Sequence, residues 1–415
     1  MNWISFACFF SVTVIQHLVH SINLYAWKRI CQGDGLTYAN SEGLWNETTV
    51  DEMERCLALI IYMSLVKMPT VYDYWKTMSP FHGSWARALI RARTRFVALM
   101  TFLHVSHPDD EDPNDKLRKV RWLYEYMKQK CAQLYQPRQK VSVDEQMVKM
   151  KGRSHLRQHM PKEPIKWGIK IFAACDVSSS YLFNFDVYTG AVPGQVEEGL
   201  THAVITRILA NYHHQGYVAY TDNFYTSPTL AASLTANGIQ LVGTLQVNRA
   251  GVPATLKGTK QFERCSPRGS VRYVRINEQV FVQWVDKWLV TMLSTFHNAT
   301  KSVMITRNTK QQGQHVQLQV QQPFVVKDYN SGMGGVDVFD QQCVTLRIRR
   351  KSHKYWKALF YDFIEVATVN SFILFNEFRR VNPGVLPRKR TYSHEDFRVA
   401  LFQQLGQCPP DAPVQ

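Results

Sequence analysis

The chain has 415 residues, of which 45% are hydrophobic and 12% aromatic, and its 49 Lys and Arg against 33 Asp and Glu give a net charge of +16 and a pI near 9.4. This composition excludes a disordered chain, and the length is enough for two or three separately packed units. The positive charge favours a polyanionic partner, either nucleic acid or an anionic membrane.

The first apolar run, residues 3–15, resembles the core of a signal peptide. No Lys or Arg precedes it, no clear small-x-small cleavage site follows it, and it is too short to span a bilayer. We therefore predict that it forms the buried first helix of a domain, which continues to residue 26, and secretion is the alternative interpretation.

Helical periodicity dominates the rest of the first third. Apolar residues recur at helical spacing over residues 51–63, 85–104 and 120–134, which predicts three further helices. The acidic, proline-bearing stretch 108–115 predicts a surface loop between the last two.

After residue 140 the pattern changes to that of strands alternating with helices. Two runs rich in aromatic and β-branched residues, 166–177 and 180–188, predict a hairpin. The next predicted elements are a helix at 201–212, a strand at 217–220, a helix at 229–236 and a strand at 239–245. With a first strand that begins at residue 141 and carries Asp144, the order is strand, strand, strand, helix, strand, helix, strand. This order matches a ribonuclease-H-like core, in which Asp222 lies at the end of the fourth strand.

Three short segments of this basic chain contain acidic residues: VDEQ at 143–146, YTDN at 220–223 and GGVDVFD at 334–340. Two carboxylates about 4 Å apart repel by roughly 4 kcal/mol at an effective dielectric of about 20, so a site with several carboxylates is normally neutralised by a cation. Nucleases and polymerases use paired Mg²⁺ ions in this way. The segments together indicate metal-assisted chemistry on a polyanion.

Each acidic residue also has a simpler local interpretation. Asp144 could cap a turn, Asp222 could form an Asx turn with Asn223, and Asp337 and Asp340 could lie in the first turn of a helix after two glycines. The order of the motifs along the chain favours the catalytic interpretation.

Five stretches carry a family resemblance: VDEQMVKMKGRSHLRQHMPKEPIKWGIK, YTDNFYTSPTL, GTLQVNRAGVP, LSTFHN and YNSGMGGVDVFDQQC. In this order they resemble the transposase domain of piggyBac-type elements and the piggyBac-derived proteins of animal genomes, over almost the whole chain. The resemblance implies an α/β fold in which a ribonuclease-H-like catalytic core with a β-rich insertion is flanked by α-helical segments from both termini.

The resemblance also implies a division into domains. These are a helical dimerisation and DNA-binding region (1–139 and 347–390), the catalytic core (140–247 and 325–346), an insertion domain (248–324) and a tail (391–415) without the family's zinc domain. Within the insertion we predict a strand pair at 271–284, a strand at 288–294 and, from its glutamine content, a surface loop at 311–322.

By the same resemblance, Asp144, Asp222 and Asp337 match the catalytic triad, which would bind two Mg²⁺ or Mn²⁺ ions. Asp340 matches a further acidic residue needed close to the triad. The chain departs from the family pattern at three positions, with Thr221 in place of the usual Cys, Phe224 in place of Trp and Gln246 in place of a basic residue. No zinc is expected, because the eight scattered cysteines form no C-x-x-C pair and have no clustered histidines.

Basic residues are grouped after the first and last acidic segments, where we expect them to contact DNA phosphates. The predicted contacts are Lys149, Lys151, Arg153, Arg157, Lys166, Arg249, Arg347, Arg349, Arg350, Lys351 and Lys354. Phosphate contacts position a duplex without specifying its sequence, so we expect salt-dependent binding with little sequence preference.

These expectations define a nuclear protein that binds double-stranded DNA, forms a homodimer and has no membrane partner. It is either a transposase that cleaves and transfers DNA strands with Mg²⁺, or a domesticated DNA- or chromatin-binding protein that retains the acidic residues without transposition. The intact triad favours the first hypothesis, and the missing zinc domain favours the second.

Overall fold

The structure is a computed structural model that describes residues 2–77, 84–107, 111–161, 163–190, 199–311, 314–348, 352–384 and 392–407. The chain divides into two compact units. Unit 1 comprises Met1–Tyr135, Met147–Lys170 and Asp340–Gln415, and unit 2 comprises Gln136–Gln146 and Ile171–Phe339.

The α-helices are α1 (Asn2–Ala7), α2 (Val12–Cys31), α3 (Val50–Leu65), α4 (Ser84–Leu89), α5 (Arg93–Phe102), α6 (Arg121–Leu134), α7 (Gly199–Leu209), α8 (Pro228–Ala236), α9 (Thr259–Cys265), α10 (Phe324–Gly332), α11 (Gly335–Thr345), α12 (Tyr355–Val381) and α13 (His394–Leu405). The strands are β1 (Lys140–Lys149), β2 (Arg157–His159), β3 (Trp167–Asp176), β4 (Leu182–Val187), β5 (Val218–Thr221), β6 (Gln240–Thr244), β7 (Val271–Ile276), β8 (Gln279–Val285), β9 (Leu289–Ser294), β10 (Ser302–Gln311) and β11 (Gln314–Pro323).

Unit 1 begins with two helices where the sequence predicted one. The prediction of a single helix from residue 3 to residue 26 is wrong, because the chain leaves the helical conformation between α1 and α2 and Ser11 adopts an extended conformation at the start of α2. Serine is favoured at such N-terminal positions over helix interiors. The predicted burial is confirmed, since Phe6, Phe10 and Val14 are fully buried.

The predicted helix over 85–104 is also divided, into α4 and α5. The backbone leaves the helix at Ile90, whose carbonyl oxygen accepts a hydrogen bond from Trp75 Nε1 (2.9 Å). Arg95 of α5 forms a salt bridge with Glu52 of α3, in which the guanidinium lies 2.6 Å from the carboxylate. The helices predicted at 51–63 and 120–134 are confirmed as α3 and α6.

Helix α12 forms the centre of unit 1. Its 27 residues are long and apolar enough to cross a membrane, but 83% of its most apolar 18-residue window is buried inside the protein. It also buries Asp362, Glu365 and Asn370. A membrane-spanning helix would expose its apolar faces to lipid, so the burial observed here is typical of a core helix.

Unit 2 contains most of a sheet whose strand order is β4-β3-β1-β5-β6-β9-β8-β7. Strands β1, β5 and β6 are parallel, and β3 and β4 form the predicted antiparallel hairpin. Helix α8 connects β5 to β6 and α7 precedes β5. The five neighbouring strands β4-β3-β1-β5-β6 therefore have the predicted ribonuclease-H-like order, with β1 at the centre.

Strands of the predicted insertion continue this sheet. β9 pairs with β6 in antiparallel register, Val242 opposite Ser294, and β8 and β7 follow as a meander. The predicted strands at 271–284 and 288–294 are thereby confirmed. Contacts group residues 171–339 into one unit, and the finer domain boundaries given above stay a prediction.

The glutamine-rich stretch 311–322 is not a loop, so that prediction is wrong. Most of it belongs to β11, which pairs with β10 in a two-stranded antiparallel ribbon. The glutamines alternate with Val316, Leu318 and Val320, and this period of two is the pattern of a strand with one apolar side. The high glutamine content suggested a loop, although the apolar residues recur at every second position as in a strand.

Candidate active site

Strands β1 and β5 bring two of the three predicted carboxylates together. The strands are parallel with Val143 opposite Thr221, so the next residues lie side by side, Asp144 within β1 and Asp222 directly after the end of β5. Adjacent strands lie about 4.8 Å apart. Burial, together with the charges of Glu145 and Asp222, raises the pKa of Asp144 from 3.8 to about 8. The Asp144 carboxylate is therefore more stable when it binds a proton or a nearby cation than when both Asp144 and Asp222 are ionised alone.

Local hydrogen bonds fix both carboxylates. Asp144 Oδ1 accepts from the Glu145 amide (2.8 Å), and Asp222 Oδ1 accepts from the Phe224 amide (2.9 Å). Thr226 Oγ1 donates to the Asp222 carbonyl oxygen at 2.7 Å. The Asx turn considered from sequence is thus present, and it orients the Asp222 carboxylate without excluding it from a site.

Helix α11 supplies the third carboxylate. It begins at Gly335, which lies so close to β1 that a Cβ there would be 2.4 Å from Ser142 Oγ. Ser142 precedes Asp144 by two residues and so lies on the same face of the strand. Asp337 is exposed in the first turn of α11, as predicted. The close packing of Gly335 therefore directs the start of the helix toward the face that carries Asp144.

Asp340 lies three residues further along α11, in the part of that helix that belongs to unit 1. Within that unit burial raises the pKa of Cys343 and of Asp362, and the charges of Glu365 and Asp340 raise both further. Its predicted role beside the triad stays a prediction.

Two tyrosines that sequence reasoning missed belong to this site. Burial and then the charges of Asp222, Asp144 and Asp337 raise the pKa of Tyr329 to about 12. All three carboxylates therefore lie within electrostatic range of one hydroxyl. Tyr225 is fully buried, and its pKa is raised by burial and by Glu145, Asp144 and Asp222. Both residues adjoin acidic motifs, in YNSGMGGVD and DNFYTS, which was the available signal.

The donor set fits a hard cation. Among the residues that the structure describes, no three His, Cys, Asp or Glu side chains converge closely enough to hold a metal ion by themselves. Mg²⁺, however, is usually held by one or two carboxylates, with waters and substrate phosphates completing its octahedron. Asp144 and Asp222 provide such a pair, and a bound cation would offset the burial and the neighbouring negative charges that raise the pKa of Asp144.

Four of the predicted DNA contacts line one cavity of unit 1. Lys149, Lys151, Arg157 and Lys166 surround a space of about 470 Å³ that also includes Trp167. The Arg157 guanidinium lies 4.6 Å from the centre of the Trp167 ring, whose residue is 47% exposed. Cations beside an exposed aromatic ring suit phosphates and bases of nucleic acid.

The remaining predicted DNA contacts have varied positions. Arg153 is exposed, and the pKa of Lys354 is lowered by burial and by the charges of Lys119 and Arg29, which indicates a positive patch. Arg349, Arg350 and Lys351 lie outside the described residues.

Two arginines make contacts that differ from the predicted ones. Arg347 is only 8% exposed, and its guanidinium pairs with the Asp362 carboxylate at 3.4 Å. A side chain that is buried and already paired is poorly placed to contact a DNA phosphate. Arg249 donates hydrogen bonds to the carbonyl oxygens of Asn223 and Phe224, 3.2 and 2.5 Å away. It therefore holds the turn that presents Asp222.

Comparison with known proteins places this chain in a family. A family model described as Transposase IS4 matches residues 5–372. PiggyBac transposable element-derived protein 3 of Homo sapiens is 27% identical over 363 residues, which are 83% of this chain and 60% of that protein. PiggyBac transposable element-derived protein 2 of Homo sapiens is 25% identical over 376 residues, 88% of this chain and 60% of that protein. The chain thus spans about 60% of the length of these relatives.

The fold is shared with a solved structure. A cryo-EM structure of the piggyBac transposase synaptic complex with hairpin DNA matches with a TM-score of 0.81 at 23% identity, covering 98% of this chain and 80% of that one. The architecture is therefore that of an α/β protein with a ribonuclease-H-like core. The chain belongs to the family of piggyBac-type transposases and piggyBac transposable element-derived proteins.

Proposed function

We propose that this protein binds double-stranded DNA and, with Mg²⁺ or Mn²⁺, cleaves and transfers DNA strands as in cut-and-paste transposition. The observation that carries the proposal is the placement of Asp144 beside Asp222 by the parallel register of β1 and β5, in surroundings where burial, then Glu145 and then the charge of Asp222 raise the pKa of Asp144 to about 8. Such a pair is suited to a divalent cation that also contacts a phosphate.

The chain's own residues would prepare the reaction. Asp144 and Asp222 would hold the cation, with the Asx turn and Arg249 keeping Asp222 in place. Asp337 would add a third negative charge from α11. The bound cation would supply charge stabilisation for the reacting phosphate. Tyr329, whose hydroxyl is within electrostatic range of all three carboxylates, would donate a hydrogen bond in this region.

Several observations support DNA as the partner. The net charge of +16 suits a polyanion, and four cations of unit 1 surround one cavity with an exposed Trp. The solved structure that shares this fold is a complex with hairpin DNA. A nuclear location and a homodimeric state are part of this proposal, and a fluorescent fusion of the full chain and its mass in solution would test them.

A second function is a domesticated DNA- or chromatin-binding protein that does not transpose. It is favoured by the names of the human relatives, which describe them as derived from transposable elements. The two functions share DNA binding and differ in strand cleavage.

The test measures cleavage and binding separately. Asp144→Asn, Asp222→Asn and Asp337→Asn should each lower Mg²⁺-dependent nicking of a duplex by roughly a hundredfold or more, because each removes a cation ligand or a charge near it. Binding to the same duplex should stay nearly unchanged. Asp51→Asn, an exposed acid in the first turn of α3, is the matched control.

Retained nicking by all three variants would overturn the proposed site. Tight duplex binding without cleavage by the unmodified protein, in Mg²⁺ and in Mn²⁺, would favour the domesticated function.

A further inference from the structure

Asp328 of α10 is the centre of a buried charge network in unit 2. Its side chain is 7% exposed. Lys140 Nζ, at the start of β1, donates a hydrogen bond to Asp328 Oδ1 at 2.5 Å, and the Tyr220 hydroxyl of β5 donates to Oδ2. His297 Nε2 lies 3.2 Å from Oδ2 but is not aligned for a hydrogen bond. One carboxylate therefore connects α10 to β1, to β5 and to the segment after β9.

The groups around Asp328 keep it ionised. Burial by itself would raise the pKa of Asp328, but the hydrogen bonds from Lys140 and Tyr220 and the charge of Lys140 lower it overall. Burial lowers the pKa of His297 below 6.5, and His297 Nδ1 lies 2.9 Å from Ser294 Oγ. His297 is therefore neutral at pH 7, and Lys140 supplies the counter-charge of Asp328.

The residues that follow Asp328 lead into the candidate active site. Tyr329 is the residue whose hydroxyl is within electrostatic range of all three carboxylates. Helix α10 ends at Gly332, where a Cβ would lie 2.5 Å from the Tyr220 ring, and α11 with Asp337 begins three residues later. The position of α10 on β5 therefore determines where Tyr329 and Asp337 lie.

Apolar contacts already hold α10 on the sheet. Val325 and Val326 are buried in a cluster with Tyr220 and Val242 of the neighbouring strands. A buried ion pair adds little stability over apolar side chains of the same volume, because desolvation of both charges offsets their attraction. Apolar contacts are non-directional, however, whereas hydrogen bonds select one orientation. The network around Asp328 is thus better explained by the orientation that it gives to α10 than by stability.

We propose that Asp328 is a positioning residue of the candidate active site. Through its contacts with β1 and β5 it fixes α10, and with α10 the start of α11, at the spacing from Asp144 and Asp222 that one divalent cation requires. The inference rests on the proposed function, because it concerns the same cation. It also gives a role to the LSTFHN stretch, whose His297 lies against the carboxylate from a further element.

The experiment measures how the affinity for the cation depends on Asp328. Thermal melting of the full chain at pH 8 over a series of Mg²⁺ concentrations gives the concentration at half of the stabilisation. The nicking assay gives the same concentration and the rate at saturating Mg²⁺. Asp328→Asn should raise the half-saturating Mg²⁺ concentration by roughly tenfold or more, as for residues that orient metal ligands. Saturating Mg²⁺ should restore much of the nicking rate, because the ligands themselves are retained.

The partners of Asp328 provide independent variants. Lys140→Met should raise the half-saturating Mg²⁺ concentration as Asp328→Asn does, and the double variant should be no weaker than either single one, because both remove the same contact. Lys140→Arg, which keeps the charge, should stay near the unmodified protein. Tyr220→Phe keeps the ring against Gly332 and removes one hydrogen bond, so its effect should be smaller. These variants decide the matter even if Asp328→Asn does not fold.

Two controls separate positioning from stability. Val282→Ala leaves a cavity in the core cluster and should lower the melting temperature without changing the half-saturating Mg²⁺ concentration. Lys327→Gln changes an exposed charge next to Asp328 on α10 and should change neither quantity.

The inference is overturned if Asp328→Asn and Lys140→Met both keep the half-saturating Mg²⁺ concentration, or if Val282→Ala shifts it as much as they do. In both cases the unmodified protein still responds to Mg²⁺, and the proposed function stands. Absence of any Mg²⁺ response in the unmodified protein would instead overturn the proposed cation site, and this inference with it.

Discussion

Val143 of β1 lies directly opposite Thr221 of β5 in parallel register, and this one pairing determines where the candidate active site is. Because each residue is followed by an aspartate, two carboxylates that are distant in sequence lie side by side, one within β1 and one at the end of β5. Their mutual repulsion is a property of the fold, and it should be measurable without any DNA.

The first prediction concerns pH. The pKa of Asp144 is about 8 in the folded chain against 3.8 normally, so between these values the folded state binds more protons than the unfolded state. Stability should therefore fall as pH rises through this window, by on the order of a few kcal/mol in the absence of divalent cations. Thermal melting of the unmodified protein with chelator at several pH values measures this.

Asp144→Asn removes the group and should flatten the dependence, making the variant the more stable protein at pH 8 in chelator. Mg²⁺ added at pH 8 should stabilise the unmodified protein more than the variant. Parallel pH curves for the two proteins would contradict the assignment of a raised pKa to Asp144.

The second prediction concerns Gly335. A Cβ at this position would lie 2.4 Å from Ser142 Oγ and 3.4 Å from the Asp176 carbonyl oxygen, so in Gly335→Ala either the Ser142 hydroxyl or the start of α11 must shift, and we expect the helix start to move away from β1. We expect a loss of roughly 1–3 kcal/mol in stability, as for overpacked sites, and a large loss of Mg²⁺-dependent nicking because Asp337 moves with the helix.

Gly334→Ala is a closely matched control, since nothing lies within 4 Å of a Cβ at Gly334. It should retain stability and nicking. Equal behaviour of the two variants in urea unfolding and in the nicking assay would show that the contact of α11 with β1 does not position Asp337.

The sequence predicted the strands that carry Asp144 and precede Asp222, because alternation and β-branched composition are local properties. It did not predict that Tyr329 lies near all three carboxylates, because α10 packs there through tertiary contacts that no periodicity encodes. The ribbon was missed for a different reason. Its glutamines suggested a loop by composition, although Val316, Leu318 and Val320 carried the period of a strand.

The third prediction concerns a buried ion pair in unit 1. Arg398 of α13 is fully buried and donates to the Glu365 carboxylate, to Ser64 Oγ (2.9 Å) and to the Leu346 carbonyl oxygen (2.6 Å). Arg398→Met would leave the Glu365 charge buried without this partner, so we expect a loss of about 3–5 kcal/mol in urea unfolding.

Arg380→Met provides the control. Arg380 pairs with Glu377 three residues earlier on the surface of α12, with 65% of its side chain exposed, and such pairs contribute less than about 1 kcal/mol. Equal destabilisation by the two substitutions would rule out a special contribution from the buried pair. A double variant that also replaces Glu365 by Gln should recover part of the loss.

The contact between Arg398 and Ser64 joins residues 334 positions apart, and this has a consequence for synthesis in the cell. At about 5–20 residues per second, a ribosome needs roughly 20–70 s to travel that distance. Unit 2 is synthesised in this interval. The N-terminal segment that contains Phe6 and Phe10 packs against α12 and α13, so its apolar side chains stay unburied until those helices have been synthesised. We therefore expect nascent chains to depend on chaperones that cover this apolar surface until the C-terminal helices arrive.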